Sequence, residues 1–450
     1  MCVIISMYSK QVEESISNAN ASVGDEIELF DRKTGKKVHG TLMPKTEVGD
    51  PNSIVLKLST GYNVGIKYTD QKEIHLISKK KEHTFVKPEL KKKRSLPKVV
   101  MIYTGGTIGS KVDYVTGGVY MLTKPEELLG AVPELADIAD IEVMPLMSIA
   151  SEDMGHEEWK KIASAVVDAT KMNAHGVVIT HGTDTMHYTA AALSFMLHDL
   201  NIPVVITGSQ RSTDRGSSDG FLNLASAVRV AAQSDIAEVC ICMHADSSDL
   251  KCSVIRGVKA RKMHTSRRDA FKAINSLPIC YVYSNGEFEY VGKYRKKTQN
   301  GKQTSAFTNM EPKVAMLKAY PNSDPEIIDY YLSKGYKAIV IEGTGLGHAP
   351  TSTADESHSW SKKVKKFCEA GGIVAMTSQC VYGRVNSMVY RNLRLISSAG
   401  AIHCEDMLAE VAYVKLCYLL GNFSVKQAKE MLVKDITGEI TLRSEIDSFM

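Results

Sequence analysis

The run VVMIYTGGTIG, Val99 to Gly109, decides how the rest of the chain is read. Val99–Tyr103 is an unbroken apolar and aromatic run, short, and rich in β-formers, which is what a strand covered on both faces requires. It stops at Thr104-Gly105-Gly106, where glycines permit a sharp turn off the strand end. The pattern recurs downstream. Gly176–Thr180 ends in His181-Gly182-Thr183, Pro203–Thr207 in Gly208-Ser209, and Val239–Met243 in His244-Ala245-Asp246. Amphipathic helical patterns lie between, notably at Glu157–Thr170 and Asp184–Leu200. Apolar strands alternating with helices predict an α/β fold with a parallel sheet covered on both faces. Polar residues just past the strand ends lie where such sheets bind ligands.

Further along, Asn322-Ser323-Asp324-Pro325 interrupts the pattern, which then resumes. Ile327–Lys334 reads as a helix, and Ala338–Glu342 as a strand entering Gly343-Thr344-Gly345-Leu346-Gly347. Ser361–Ala370, Gly372–Thr377 and the long helical stretch Glu405–Leu420 continue it. A large α/β domain over 98–320 and a smaller one over 321–450 are expected. Upstream the texture differs. Glu26–Phe30, Lys37–Leu42, Ser53–Leu58 and Asn63–Lys67 alternate apolar and polar residues between turn clusters, which predicts a small all-β barrel over 24–78. Residues 1–23 carry little pattern and are expected to be a poorly ordered end. Between barrel and body, 79–97 forms a basic linker: Lys79, Lys80, Lys81, Lys87, Lys91, Lys92, Lys93 and Arg94 face only Glu82 and Glu89. A solvated hinge is the expectation there, with contact to RNA phosphates or to an acidic partner surface as the alternative.

Composition excludes several classes. With 44% hydrophobic and 24% charged residues the chain is not wholly disordered, and it holds no apolar run of about 18 residues to span a membrane. The cysteines number nine, scattered and without a C-x-x-C pair, so a disulfide framework or structural zinc is not expected; a reducing cytoplasm is. Cys240 and Cys242 share one apolar strand and read as core. A net charge of +4 does not mark a nucleic-acid binder.

Glycine-rich loops after strands raise the question of nucleotides. Thr104 occupies the first glycine position of a G-x-G-x-x-G, and no G-x-x-x-x-G-K-[ST] occurs, so no nucleotide site is expected in this chain. The loops offer hydroxyls instead: Thr104 and Thr107 on one, Thr180, Thr183 and Thr185 on the next. A strand–turn–helix brings backbone N–H groups and a hydroxyl together, as a nucleophile with an oxyanion hole requires. A threonine hydroxyl attacks only when a neighbour takes its proton. A relay of Thr183, Asp184 and Lys262 would be chemically sensible provided Lys262 is shielded from water, since lysine ordinarily titrates near pH ~10.4. Taken singly, Thr183-Asp184 before a helix reads more readily as an N-cap.

The segments Tyr103-Thr104-Gly105-Gly106-Thr107-Ile108 and Thr180-His181-Gly182-Thr183-Asp184-Thr185-Met186 resemble the two threonine motifs of the bacterial-type L-asparaginase/glutaminase family. Ile149–Met154, Thr207–Arg211 and Gly343–His348 resemble it too, and the likeness spans roughly 97–425. The resemblance implies Thr107 as nucleophile, with Thr183, Asp184 and Lys262 completing the catalytic set. It implies Ser151 on the substrate α-carboxylate, Asp184 facing the α-amino group, and Gly106, Gly182 and Glu152 lining the substrate site. Glu152 stands where many relatives carry glutamine. A mobile-loop tyrosine paired with the nucleophile is implied after Thr107, with Tyr114 and Tyr120 both qualifying. No metal is implied.

The barrel and basic linker ahead of an asparaginase-like body resemble the GatD family, the D subunits of archaeal glutamyl-tRNA(Gln) amidotransferases, and Ile436-Thr437-Gly438-Glu439-Ile440 fits the same family. That likeness implies a glutaminase whose ammonia is used by a partner, the E subunit, which binds the mischarged tRNA(Gln) and activates its glutamate with ATP and Mg2+. It implies a self-dimer within a heterotetramer of two D and two E chains, tRNA(Gln) held mainly by the partner, and no cofactor in this chain. The alternative reading is a free-standing cytoplasmic L-asparaginase that carries a barrel.

Overall fold

The computed structural model describes residues 8–43, 45, 50–58, 63–79, 96–112, 119–121, 132, 134–212, 218–298, 302–444 and 449. The strand Lys98–Gly105 is buried along its length after Lys98 and lies second from one edge of an eight-stranded sheet. The sheet order is Phe288–Tyr290, Cys280–Tyr283, Lys251–Arg256, Val239–His244, Val204–Thr207, Gly176–Thr180, Lys98–Gly105 and Asp140–Ile149. From Val239–His244 to Asp140–Ile149 all neighbours run parallel. Thr180 is the register partner of both Tyr103 and Thr207, so the loops that follow these three strands leave the sheet at one edge, side by side. Helices His156–Lys171 and Met186–Met196 fill one face with Trp159, Ile162, Val166, Leu193 and Phe195, while Gly220–Gln233 covers the other with Leu224, Ala227 and Val228.

The other half of the sheet departs from the parallel expectation. Lys251–Arg256, Cys280–Tyr283 and Phe288–Tyr290 are antiparallel to their neighbours. The short Ala245–Leu250 connection explains the first reversal, because a parallel return needs a crossover of about a dozen residues or more. The helix expected over Asp184–Leu200 is shorter, Met186–Met196, and Leu197–His198 pairs instead with Ser305–Ala306.

The smaller domain has a four-stranded parallel sheet in the order Val314–Lys318, Ala338–Gly343, Ile373–Ser378, Ile402–His403. Its first strand precedes residue 321, so the expected boundary is corrected to before Val314. Asn322–Pro325 is the turn between that strand and the helix Glu326–Ser333, not the border between domains. The helix Ala409–Asn422 packs both on this sheet and on Met186–Met196 of the large domain, and one apolar cluster runs through both.

The N-terminal unit is a five-stranded antiparallel sheet ordered Asn63–Lys67, Ser53–Lys57, Lys37–Leu42, Glu26–Asp31, Lys72–Ser78. It is all-β in its sheet; among the described residues no ladder joins its two edge strands to close a barrel. The poorly ordered end expected at 1–23 is corrected by a helix, Lys10–Asn18, capped by Ser9. Val12 is fully buried in the sheet's core, and the Tyr8 hydroxyl donates to the Met43 carbonyl at 2.8 Å. Two or three apolar positions anchor so short a helix, too few for a periodic pattern to stand out. Of the basic linker, 80–95 lies outside the described residues; Lys79 reaches Asp25 at 3.2 Å. No helix of the described residues is long and apolar enough to cross a membrane.

Candidate active site

Two loops meet at the parallel strand ends, and glycines set their separation. Thr104, one residue before its strand ends, donates its hydroxyl to the Thr180 carbonyl at 2.6 Å and is fully buried. Gly105 and Gly106 then take φ of +112° and +88°, which side-chain-bearing residues rarely adopt. A Cβ on Gly106 would lie 2.5 Å from the Gly182 nitrogen and the His181 carbonyl carbon. The Thr104–Thr107 and His181–Asp184 loops therefore touch backbone to backbone, and Thr107, half-buried, opens a short 3-10 turn directly after the contact.

Gly182 is confined from its other side. A Cβ there would lie 2.7 Å from Ser151 Cβ and 2.8 Å from its Oγ. Ser151 is buried and opens the turn Ser151–Asp153, which leaves Glu152 exposed, and the Thr185 hydroxyl donates to the Ser151 carbonyl at 2.5 Å. Thr183 is buried; its hydroxyl receives a hydrogen bond from Lys262 Nζ at 2.8 Å and faces Gln210 Oε1 at 3.5 Å. The same ammonium reaches Asp184 Oδ1 at 2.6 Å. Lys262's side chain is only 10% exposed while that of Asp184 is 68% exposed, so a shielded lysine is coupled to a carboxylate open to the site mouth.

Beneath the loops runs a hydrogen-bonded line that the sequence does not announce. Trp159 Nε1 donates to Thr189 Oγ1 at 3.0 Å, and Thr189 Oγ1 stands 2.8 Å from His181 Nε2. His181 Nδ1 is 2.6 Å from the Gly182 carbonyl, which can only accept. Nδ1 therefore carries the proton, Nε2 accepts from Thr189, and the ring is neutral. Burial holds it so, pushing the imidazole down to about 4. His187, also buried and near Arg261 and Lys262, is pushed down to about 3. A second support is Asp219, whose carboxylate accepts the backbone N–H of Gln210 at 3.0 Å and of Arg211 at 3.1 Å. Asn223 Nδ2 donates to both Asp219 and the Gly208 carbonyl. Trp159, Thr189, Asp219 and Asn223 were not singled out by sequence reasoning. The one available signal was Asp219, an acidic residue opening a helix.

The geometry thus brings together Gly106, Ser151, Gly182, Thr183, Asp184 and Lys262, with Thr107 one residue beyond the contact point. Tyr114 lies outside the described residues, as does the side chain of Tyr120. The Tyr120 backbone pairs with Lys111 in a two-stranded ladder leading away from the Thr107 turn. Among the described residues no group of three or more His, Cys, Asp or Glu could hold a metal ion.

Residues 98–295 match the family model for the asparaginase N-terminal domain, 313–432 that for the glutaminase/asparaginase C-terminal domain, and 21–77 that for the GatD N-terminal domain. Among curated proteins, the D subunit of the glutamyl-tRNA(Gln) amidotransferase of Pyrococcus furiosus is 45% identical over 446 residues, covering 98% of this chain and 100% of the relative. That of Archaeoglobus fulgidus is 46% identical over 408 residues, 90% of this chain and 93% of the relative. Among solved structures, the thermostable L-asparaginase from Thermococcus kodakarensis superposes with a TM-score of 0.67 at 30% identity, over 76% of this chain and 99% of its own. L-asparaginase I from Vibrio cholerae gives 0.67 at 29% identity, over 77% and 100%.

Proposed function

Because this chain belongs to the GatD family, the D subunits of glutamyl-tRNA(Gln) amidotransferases, we propose that the paired loops are its glutamine-hydrolysing site, with Thr107 as nucleophile. The enzyme is the glutaminase component of a tRNA-dependent amidotransferase, built on an asparaginase-type body. Its chemistry follows from the loops. The Thr107 hydroxyl adds to the side-chain amide carbon of glutamine and gives up its proton. Collapse of the adduct protonates the leaving nitrogen and releases ammonia, leaving a threonine ester. Water then hydrolyses the ester to glutamate. In this reading backbone N–H groups of the glycine loops stabilise the oxyanion as it develops. Thr183, Asp184 and Lys262 act as one proton-handling unit. Ser151 takes the substrate α-carboxylate, and Asp184, exposed at the mouth, the α-amino group. The observation that carries this assignment is Lys262, shielded and bonded to Thr183 and Asp184, whose own loop is clamped at Gly182 and Gly106 against that of Thr107.

The partner is the E subunit, in a heterotetramer of two D and two E chains, which holds tRNA(Gln) and activates its glutamate with ATP and Mg2+. Released ammonia in neutral water is mostly ammonium, which is not a nucleophile, so a closed passage to that partner keeps it reactive. Ammonia release from glutamine and from asparagine separates this reading from that of a free-standing asparaginase, which should prefer asparagine by a wide margin. Replacing Thr107 by alanine tests the nucleophile: glutamine-dependent transamidation by the complex should vanish while amidation from supplied ammonium persists. Loss of both activities would overturn the assignment.

A further inference from the structure

Lys262 is carried by a segment that the smaller domain grips from behind. Gly257–Lys259 is a 3-10 turn, and Ala260–Lys262 a short strand with Lys262 opposite Phe271. Successive side chains of a strand point to opposite faces. With Lys262 turned to Thr183 and Asp184, Arg261 faces away, and its guanidinium meets the Glu410 carboxylate at 3.0 and 3.3 Å. Two residues before it, Lys259 bonds Asp406 at 2.7 Å, the side chains being 1% and 0% exposed. Both carboxylates belong to the other domain. Glu410 lies in the first turn of the Ala409–Asn422 helix and Asp406 just ahead of it, where the helix dipole favours negative charge. Asp406 is held in turn by the Thr441 backbone N–H at 2.9 Å and by the Thr441 hydroxyl. None of these groups takes part in the chemistry above. Buried ion pairs are poor devices for stability, since desolvation offsets their attraction, and fixing register is their best-attested use.

We propose that Asp406 and Glu410 are positioning residues for Lys262: through Lys259 and Arg261 they fix where its ammonium stands between Thr183 and Asp184, and Thr441 latches Asp406 in place. This rests on the reading of Lys262 as part of the catalytic set. Lys262 Nζ makes both bonds within 2.8 Å, so a slide of the hairpin by about 1 Å breaks them, a misplacement that costs on the order of a hundredfold in rate.

Asp406→Asn leaves Lys259 buried without its partner and can fail to fold, so the test uses Arg261→Gln, Glu410→Gln and Thr441→Val, assayed as the full chain in its complex for glutamine kcat and KM and for thermal unfolding. Each should lower kcat by about ten- to a hundredfold with only a smaller rise in KM, felt through Asp184, and Glu410→Asp should recover part of the loss. The Arg261→Gln/Glu410→Gln double variant should be no slower than the worse single one. Folded variants with wild-type kcat would overturn the proposal, as would a loss confined to KM. Lys262→Met separates the two levels. If it retains glutaminase activity, the catalytic reading fails; if it is inactive while the other variants turn over at the wild-type rate, only the positioning role fails.

Discussion

Gly182→Ala adds one methyl group at the point where three loops converge, and the structure sets its consequence. The new Cβ would stand 2.7 Å from Ser151 Cβ and 2.8 Å from its Oγ. Ordinary carbon contacts lie at about 3.5–4.0 Å, so Ser151 and Gly182 must separate by roughly 1 Å. Gly182 is not held at positive φ, so the conflict is one of space rather than of backbone strain. Overpacking of this kind costs about 1–3 kcal/mol of stability, and a shift of about 1 Å in a substrate-positioning group costs about a hundredfold in rate. Because Ser151 is assigned to the α-carboxylate, the loss should fall largely on glutamine KM. The assay is steady-state ammonia release against glutamine concentration, with thermal unfolding of the same preparations. Gly65→Ala is the control, since a Cβ there meets nothing within 4 Å, and it should leave kcat and KM unchanged. A folded Gly182→Ala enzyme with wild-type kcat/KM would refute the reasoning.

The other predictions concern protonation, packing and the partner. His181 titrates near 4 in the folded protein against about 6.5 unfolded, so as pH falls the unfolded state takes the proton first. The stability linked to its neutral burial is full above pH ~6.5 and is lost between there and pH ~4, amounting to about 3 kcal/mol; His181→Gln should flatten the unfolding midpoint over that window, and an unchanged slope would count against it. Lys415→Met strands Glu439, its fully buried partner at 2.6 Å, and should destabilise by about 3–5 kcal/mol in a thermal unfolding assay, with Lys415→Met/Glu439→Gln milder. Glutamine turnover by the isolated chain should be weak and should rise when the E subunit and charged tRNA are added; equal turnover with and without them would contradict coupled ammonia delivery.

Much of the fold was legible because its cause is local. Val99–Tyr103 reads as a buried strand and Gly105-Gly106 as its turn from composition and chirality alone. The order of strands and helices from 98 onward, the small all-β unit and the hydroxyl-bearing loops follow the same way. Other features escaped for identifiable reasons. The Lys10–Asn18 helix buries Val12 but shows too few apolar positions for periodicity to register. The boundary slipped because a turn inside the smaller domain resembles a linker. The pairing of Lys262 with Thr183 spans 79 residues, and no spacing rule connects them; the family likeness supplied it.

Local conformation and chemical inventory are properties of the chain read in order: threonines after strands, glycines where loops turn, and no nucleotide loop. Which of those groups meet, and how far each is removed from water, depends on the folded arrangement. Register in the parallel sheet places the three loops side by side. The close approach of Gly106 to Gly182 fixes their separation, and burial keeps His181 neutral. The grip of Asp406 and Glu410 on the lysine segment exists only once two domains have closed on one another. Local sterics and hydrophobic periodicity are written along the chain, whereas contact and desolvation arise between residues far apart in it, and the chemistry of the threonine loops depends on the second.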